Sequence, residues 1–156
     1  MITKYALIAV NERGISLEMS NVIGNAFMQM EEEYNVTLKN VREKEDEGAI
    51  DYSRTGMEDN TAWITLNTGE TFDWTILPVA GTGLMVGKFA LITVSGRTIS
   101  LELFDDFDMA VSQMEKGYNE KLESAIENVG EMDECTAWIE LETGETLDWQ
   151  ILPIVV

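Results

Sequence analysis

Two aspartates stand at matching places in this chain of 156 residues, Asp73 in Thr71-Phe72-Asp73-Trp74 and Asp148 in Thr146-Leu147-Asp148-Trp149. Paired carboxylates at a fixed separation are the acid and base of glycoside hydrolysis. With Asp+Glu 29, however, the chain offers such pairs everywhere, and both aspartates sit in a repeated structural motif, so the catalytic reading is set aside. Calcium fares no better. Glu43, Glu45 and Glu47 before Gly48 imitate the start of an EF-hand loop, but Arg54 occupies the twelfth position, where a bidentate Glu is required. A solvated charged loop is expected there, with loose divalent-ion binding as its only metal chemistry. Gly81-Thr82-Gly83 lacks the Lys-Ser/Thr of a phosphate loop and reads as a linker. The chain has one cysteine, Cys135, and no histidine. Ser-His and Cys-His catalysis and His-ligated metals are thereby excluded, and the thiol has no base to activate it. The expectation is a protein that is not an enzyme and that has no cofactor and no metal centre.

The charge is the positive signal. Lys+Arg 10 against Asp+Glu 29 gives −19, with a sequence pI near 4.1. Direct nucleic-acid binding is disfavoured, because phosphates require clustered Lys and Arg. From Leu122 to Val156 there is no basic residue, while Glu123, Glu127, Glu131, Asp133, Glu134, Glu140, Glu142, Glu145 and Asp148 all fall there. The four-residue spacing of Glu123, Glu127 and Glu131 predicts a row of like charges on a helix flank, at a small cost to the helix. Either solubility or a selected interaction accounts for such an excess.

An internal repeat organises these residues. Residues 5–35 align without a gap on 89–119, about half of them identical, and residues 61–79 align on 136–154 with roughly three in four identical. The first half carries about nine extra residues between 36 and 60. Two copies of this length indicate a duplicated domain, not a solenoid. The expected boundaries are 1–80 for the first repeat, 81–88 for a short linker and strand entry, and 89–156 for the second repeat.

Each repeat reads as ββαββ, an α+β module with an antiparallel sheet and one amphipathic helix. Alternating residues predict an opening hairpin with Val10 opposite Ile15 and Val94 opposite Ile99, the second turning at Gly96-Arg97. Ile23, Phe27, Met30, Tyr34, Leu38 and Val41 follow the helical period, as do Phe107, Val111, Met114, Tyr118, Leu122 and Ala125. Ser20 or Asn21, and Asp105 or Asp106, are expected N-caps. In the closing hairpin, Ala62, Ile64 and Leu66 share a face with Phe72, Trp74 and Ile76 only if the loop has an odd length, which Asn67-Thr68-Gly69 and its counterpart Glu142-Thr143-Gly144 satisfy. That register puts Trp63 opposite Asp73, and Trp138 opposite Asp148, on the face away from the helix. Tyr5, Leu7 and Leu77 are assigned to that face too, as are Phe89, Leu91 and Leu152. A pseudo-twofold arrangement in which these apolar faces close on each other is expected, since a module this small is marginal alone.

A rigid surface studded with carboxylates repeats the electrostatic pattern of a nucleic-acid backbone and is steered toward basic grooves. The expected partner is therefore a protein with a basic nucleic-acid-binding groove, contacted by Glu43, Glu45, Asp46, Glu47, Trp63, Asp73, Glu131, Asp133, Glu134, Trp138, Glu140, Glu142 and Asp148. Small phage- or plasmid-encoded inhibitors of host defence, anti-restriction and anti-CRISPR proteins among them, have this character; the likeness is one of size and charge and carries no residue roles. The alternative is a self-associating structural or accessory protein that uses its Trp63 and Trp138 faces, with acidity serving only solubility; monomer and homodimer both stay open. The apolar run Tyr5–Val10 is cut off by Asn11-Glu12-Arg13-Gly14, too soon for a signal segment or a membrane span, so a cytoplasmic location is expected.

Overall fold

The computed structural model describes residues 2–44, 47–81, 88–96 and 98–154. Two compact units divide the chain, Met1–Gly83 and Leu84–Val156. The first unit opens with the hairpin β1 (Ile2–Asn11) and β2 (Gly14–Ser20), followed by helix α1 (Ile23–Lys44). Two 3₁₀ turns (Glu47–Ala49 and Tyr52–Arg54) lead to β3 (Gly56–Glu58), β4 (Thr61–Thr65) and β5 (Thr71–Gly81). The second unit runs β6 (Phe89–Ser95), β7 (Thr98–Phe104), α2 (Phe107–Leu122), β8 (Val129–Met132), β9 (Thr136–Glu140) and β10 (Thr146–Pro153). Both five-stranded sheets are antiparallel, in the orders β2-β1-β5-β4-β3 and β7-β6-β10-β9-β8. The protein is thus α+β with two sheets and two helices, and each unit has one strand more than the expected ββαββ. The added strands, β3 and β8, are short edges built around Gly56 and Gly130.

The helix in each unit follows one edge strand and leads to the other, so it crosses a face of the sheet. At 1.5 Å per residue, α1 is about 33 Å long and α2 about 24 Å, either of which covers five strands spaced by about 4.8 Å. The returning meander then places the last strand in the middle, beside the first. Leu7 faces Ile76 and Ala9 faces Trp74 across β1 and β5; Leu91 faces Ile151 across β6 and β10. These pairs lie under the helices. In the first unit Leu7, Ala62, Ile64, Leu66, Trp74 and Ile76 pack with Ala26, Met30 and Val41. In the second, Leu91, Ala137, Ile139, Leu147, Trp149 and Ile151 pack with Ala110, Met114 and Tyr118. Met30 and Met114 are fully buried, and each tryptophan meets a helix tyrosine edge-on, Trp74 with Tyr34 at 6.0 Å and Trp149 with Tyr118 at 6.3 Å.

Tyr5, Leu7, Phe89 and Leu91 therefore belong to the helix face, not to the opposite face expected for them. β1 and β6 are inner strands with apolar residues on both faces, so alternation alone does not say which set meets the helix; their register with β5 and β10 does. Trp63, Leu77, Trp138 and Leu152 do lie on the face away from the helix, with Trp63 opposite Asp73 and Trp138 opposite Asp148.

The turns follow their chemistry. Val10 pairs with Ile15 and Val94 with Ile99. Gly96 has φ +59°, while its neighbour Arg97 lies outside the described residues. Gly69 (φ +93°) and Gly144 (φ +87°) occupy the left-handed position of the three-residue loops, closed by Leu66 N–H to Glu70 O and Leu141 N–H to Glu145 O, each 2.8 Å. Asp106 caps α2, accepting from Asp108 N–H at 2.7 Å. Ser20 and Asn21 do not cap α1, because Val22 precedes its first residue; Ser20 Oγ instead accepts from Val22 N–H at 3.2 Å.

Helix α2 ends at Leu122, so Ala125 leaves the expected stripe and Glu123, Glu127 and Glu131 do not share a helix flank. The side chains of Ser124 and Asn128 donate to the carbonyl of Lys121 at 2.7 and 2.8 Å, satisfying a helix-end acceptor and turning the chain away. Gly130 then lets β8 lie close against β9, since a Cβ there would run into the backbone carbonyl of Trp138. Gly130→Ala is expected to push β8 off the sheet and to cost about 1–3 kcal/mol, as overpacking does. Chemical denaturation checks the cost, and faster amide exchange confined to Glu131, Met132 and their β9 partners checks its location.

Candidate functional site

The site residues of the second unit gather on the face of its sheet away from the helix. Reading across five strands, Ile99, Val94, Asp148, Trp138 and Glu131 are successive cross-strand neighbours. Cross-strand side chains on one face stand about 5 Å apart at Cβ, so Trp138 has a carboxylate on either side. Glu140, two residues along β9, points to the same face, and Val129 lies opposite it on β8. Trp138 is 40% exposed and Val129 56%, whereas Val94 and Ile99 are buried. Glu131 and Glu140 are exposed and Asp148 is half-buried. Burial alone pushes the Asp148 carboxyl above the ordinary aspartate range.

Asp133 and Glu134 form the turn into β9. Asp133 N–H donates to Thr136 O and Glu134 N–H donates to Asp133 Oδ1, both at 2.7 Å, and both side chains face solvent. Glu142 opens the β9–β10 loop, its N–H bonded to Asn128 Oδ1 at 3.0 Å. Asn128, overlooked in the sequence because nothing but its burial marks it, thus ties the helix exit to this loop.

The corresponding row of the first unit is Ile15, Val10, Asp73, Trp63 and Gly56. Its edge residue is a glycine where the second unit has Glu131. A Cβ on Gly56 would stand 3.1 Å from Cζ2 of Trp63, so the indole lies down over the glycine and is half-buried. The two tryptophans, equivalent by alignment, are thus differently presented.

The acidic stretch of the first unit is dispersed. Glu43 is on the last turn of α1, 4.0 Å from Lys39 Nζ. Glu45 and Asp46 lie outside the described residues, and Glu47 begins the first 3₁₀ turn. The segment from Ile50 to Arg54 is packed, not a free loop: Ile50 is buried against the sheet and bridges Leu66, and Arg42 Nε donates to Tyr52 Oη at 2.8 Å. Asp51 is held below the usual carboxylate range by hydrogen bonds from Ser53 and then Arg54.

The first unit also has a cleft of about 690 Å³ between α1 and the β1–β2 side of the sheet, floored by Ala9, Phe72 and Trp74 and rimmed by Asn25, Glu32 and Glu33. Glu33 is fixed there by Trp74 Nε1 (2.9 Å) and Gln29 Nε2 (3.3 Å). Sequence reading missed it, although Glu33 falls three residues after Met30, on the buried side of the helix. The second unit has Gly117 at the aligned position, where a Cβ would come within 3.3 Å of Trp149 Nε1.

Among the described residues, the ion pairs are Lys39–Glu43 and Arg54–Asp51, both in the first unit, and no three His, Cys, Asp or Glu side chains converge as a metal site would require. No helix among them is long and apolar enough to cross a membrane. Comparison with known proteins finds no family model, no curated protein and no solved structure that matches the chain.

A raised carboxyl pKa means that the folded chain holds its proton more tightly than the unfolded one. Asp148 therefore favours folding when protonated, and that help is lost as pH rises through its raised value. Asp148→Asn is expected to stabilise the protein at neutral pH by less than about 1 kcal/mol, since solvent screens a half-exposed group. The advantage over wild type should shrink as pH falls toward 3.8, the ordinary aspartate value. Thermal denaturation across that pH range checks both sign and trend.

Proposed function

We propose that this chain is a non-enzymatic, acidic protein-binding module that occupies a basic, nucleic-acid-binding groove on another protein. It would act in the cytoplasm in the manner of a phage- or plasmid-type inhibitor of a host defence nuclease, of the anti-CRISPR or anti-restriction kind. The observation that carries the reading is the β8–β9 end of the second unit. Glu131, Asp133, Glu134, Glu140 and Glu142 are all exposed there, on a stretch of sequence without one Lys or Arg. Carboxylates held on a sheet edge and its turns are spaced by the backbone, as phosphates are. They attract a basic groove over about a Debye length and compete with the nucleic acid it normally holds. Two copies of one module in a pseudo-twofold arrangement are part of the same proposal, supported by the repeat in the sequence and by the common strand order of the two units.

One observation favours a second reading, self-association of a structural or accessory protein: Trp138 is exposed, as a homodimer contact would need to be before assembly. Trp63, packed on Gly56, offers it less. Light scattering separates the two, since a stable dimer dispersed by Trp138→Ala would establish the second reading.

For the leading one, the protein is used as bait in a nuclease-treated host lysate across a salt series. A basic nucleic-acid-binding protein should be retained at low salt and released as salt rises; recovery of no such partner would sink the proposal. Replacing Glu140, Glu142 and Asp148 with Lys should slow association with that partner by about tenfold or more, with a smaller change in dissociation. Surface plasmon resonance reads both rates.

A further inference from the structure

Equivalent tryptophans in equivalent rows have been given different surroundings. In the first unit Gly56 lets the indole of Trp63 settle onto the sheet. In the second, Glu131 stands in that place and Trp138 remains 40% exposed, between Glu131 and Asp148. The carboxylate of Asp148, although half-buried, has no hydrogen-bond or ion-pair partner among the described residues. A carboxylate withdrawn from water without a partner favours a cation that brings its own donors. Val129, exposed beside this row, adds an apolar contact.

We propose that Glu131, Trp138 and Asp148 form a receptor for an arginine side chain of the partner, whose guanidinium lies against the indole with its N–H fork toward the two carboxylates. The inference rests on the reading of the chain as an acidic protein-binding module and names the group that module would grip. Arginine fits better than lysine for three reasons. Its planar cation stacks on an aromatic face, its weak hydration lowers the cost of leaving water, and its donors reach carboxylates on two sides. Val129 suits the aliphatic stem. An acidic surface acting by charge alone would not distinguish the two cations.

That difference supplies the test. Two acetylated, amidated peptides of equal charge, Gly-Arg-Gly-Arg-Gly and Gly-Lys-Gly-Lys-Gly, are titrated into the full chain by calorimetry, and the indole N–H signals of its tryptophans are followed by NMR. The arginine peptide should bind about fivefold or more tightly than the lysine peptide and shift the Trp138 signal with little effect on Trp63. Trp138→Leu should abolish the preference while leaving weak binding to both peptides. Glu131→Gln and Asp148→Asn should each weaken arginine binding by about threefold. Equal affinity for the two peptides, or a preference that survives Trp138→Leu, would overturn the inference. Should Trp138→Leu prove poorly folded, the wild-type signals decide: a shift at Trp63 and none at Trp138 overturns it as well. These outcomes are separate from the lysate experiment, for a basic partner retained equally by wild type and Trp138→Leu upholds the module and rejects the arginine receptor.

Discussion

Beside each unit's first strand lies its last, β5 against β1 and β10 against β6, and every other placement depends on that register. In an antiparallel pair a slip by one residue would turn every side chain to the opposite face. The register is held by what it buries. Trp74 and Ile76, or Trp149 and Ile151, must meet the helix, and their neighbours Asp73, Thr75, Asp148 and Gln150 are then directed to the other side. The aspartates owe their positions to the burial of adjacent tryptophans. The closing hairpin carries this order one strand further, because its three-residue loop keeps Trp63 in line with Asp73 and Trp138 in line with Asp148.

The edge strands make the two units differ. β3 and β8 are three and four residues long and pair with β4 and β9 in the same aligned register, but the glycine of β8 stands one residue earlier than that of β3. Gly56 faces Trp63, whereas Gly130 faces Ile139 and leaves Glu131 to face Trp138. The glycine that seats an indole in one unit seats a backbone carbonyl in the other. Moving the glycine by one residue along the edge strand thus replaces a packed tryptophan by a presented one, with the strand register unchanged.

Much of this was legible in the chain. Parity and loop length sufficed for the closing hairpins, and the helical period located both helices, because those signals come from local geometry that tertiary contacts reinforce. The face of β1 and β6 was not legible, since a strand apolar on both sides carries no alternation to read. Nor were β3 and β8, whose glycines and carboxylates have low strand preference and which exist because a neighbouring strand offers them a ladder. The supposed helical row of Glu123, Glu127 and Glu131 failed for a related reason. Spacing by four residues requires a continuous helix, and Ser124 with Asn128 ends this one by capping Lys121. Asn128 itself was invisible, because a buried amide that ties a helix exit to a loop has no periodic signature.

Part of the acidity has a structural reason that involves no partner. Short, charged edge strands resist the addition of a further strand from another molecule, and Glu58, Glu131, Asp133 and Glu134 lie on or beside such edges. That reason does not extend to Asp148. It belongs to β10, between β6 and β9, where no edge needs protection, and burial raises its carboxyl above the ordinary aspartate range. Edge protection therefore accounts for carboxylates on the rim, while Asp148, half-buried in an inner strand beside the exposed Trp138, is an acidic position it leaves without a reason, and it is there that the proposed cationic partner would be met.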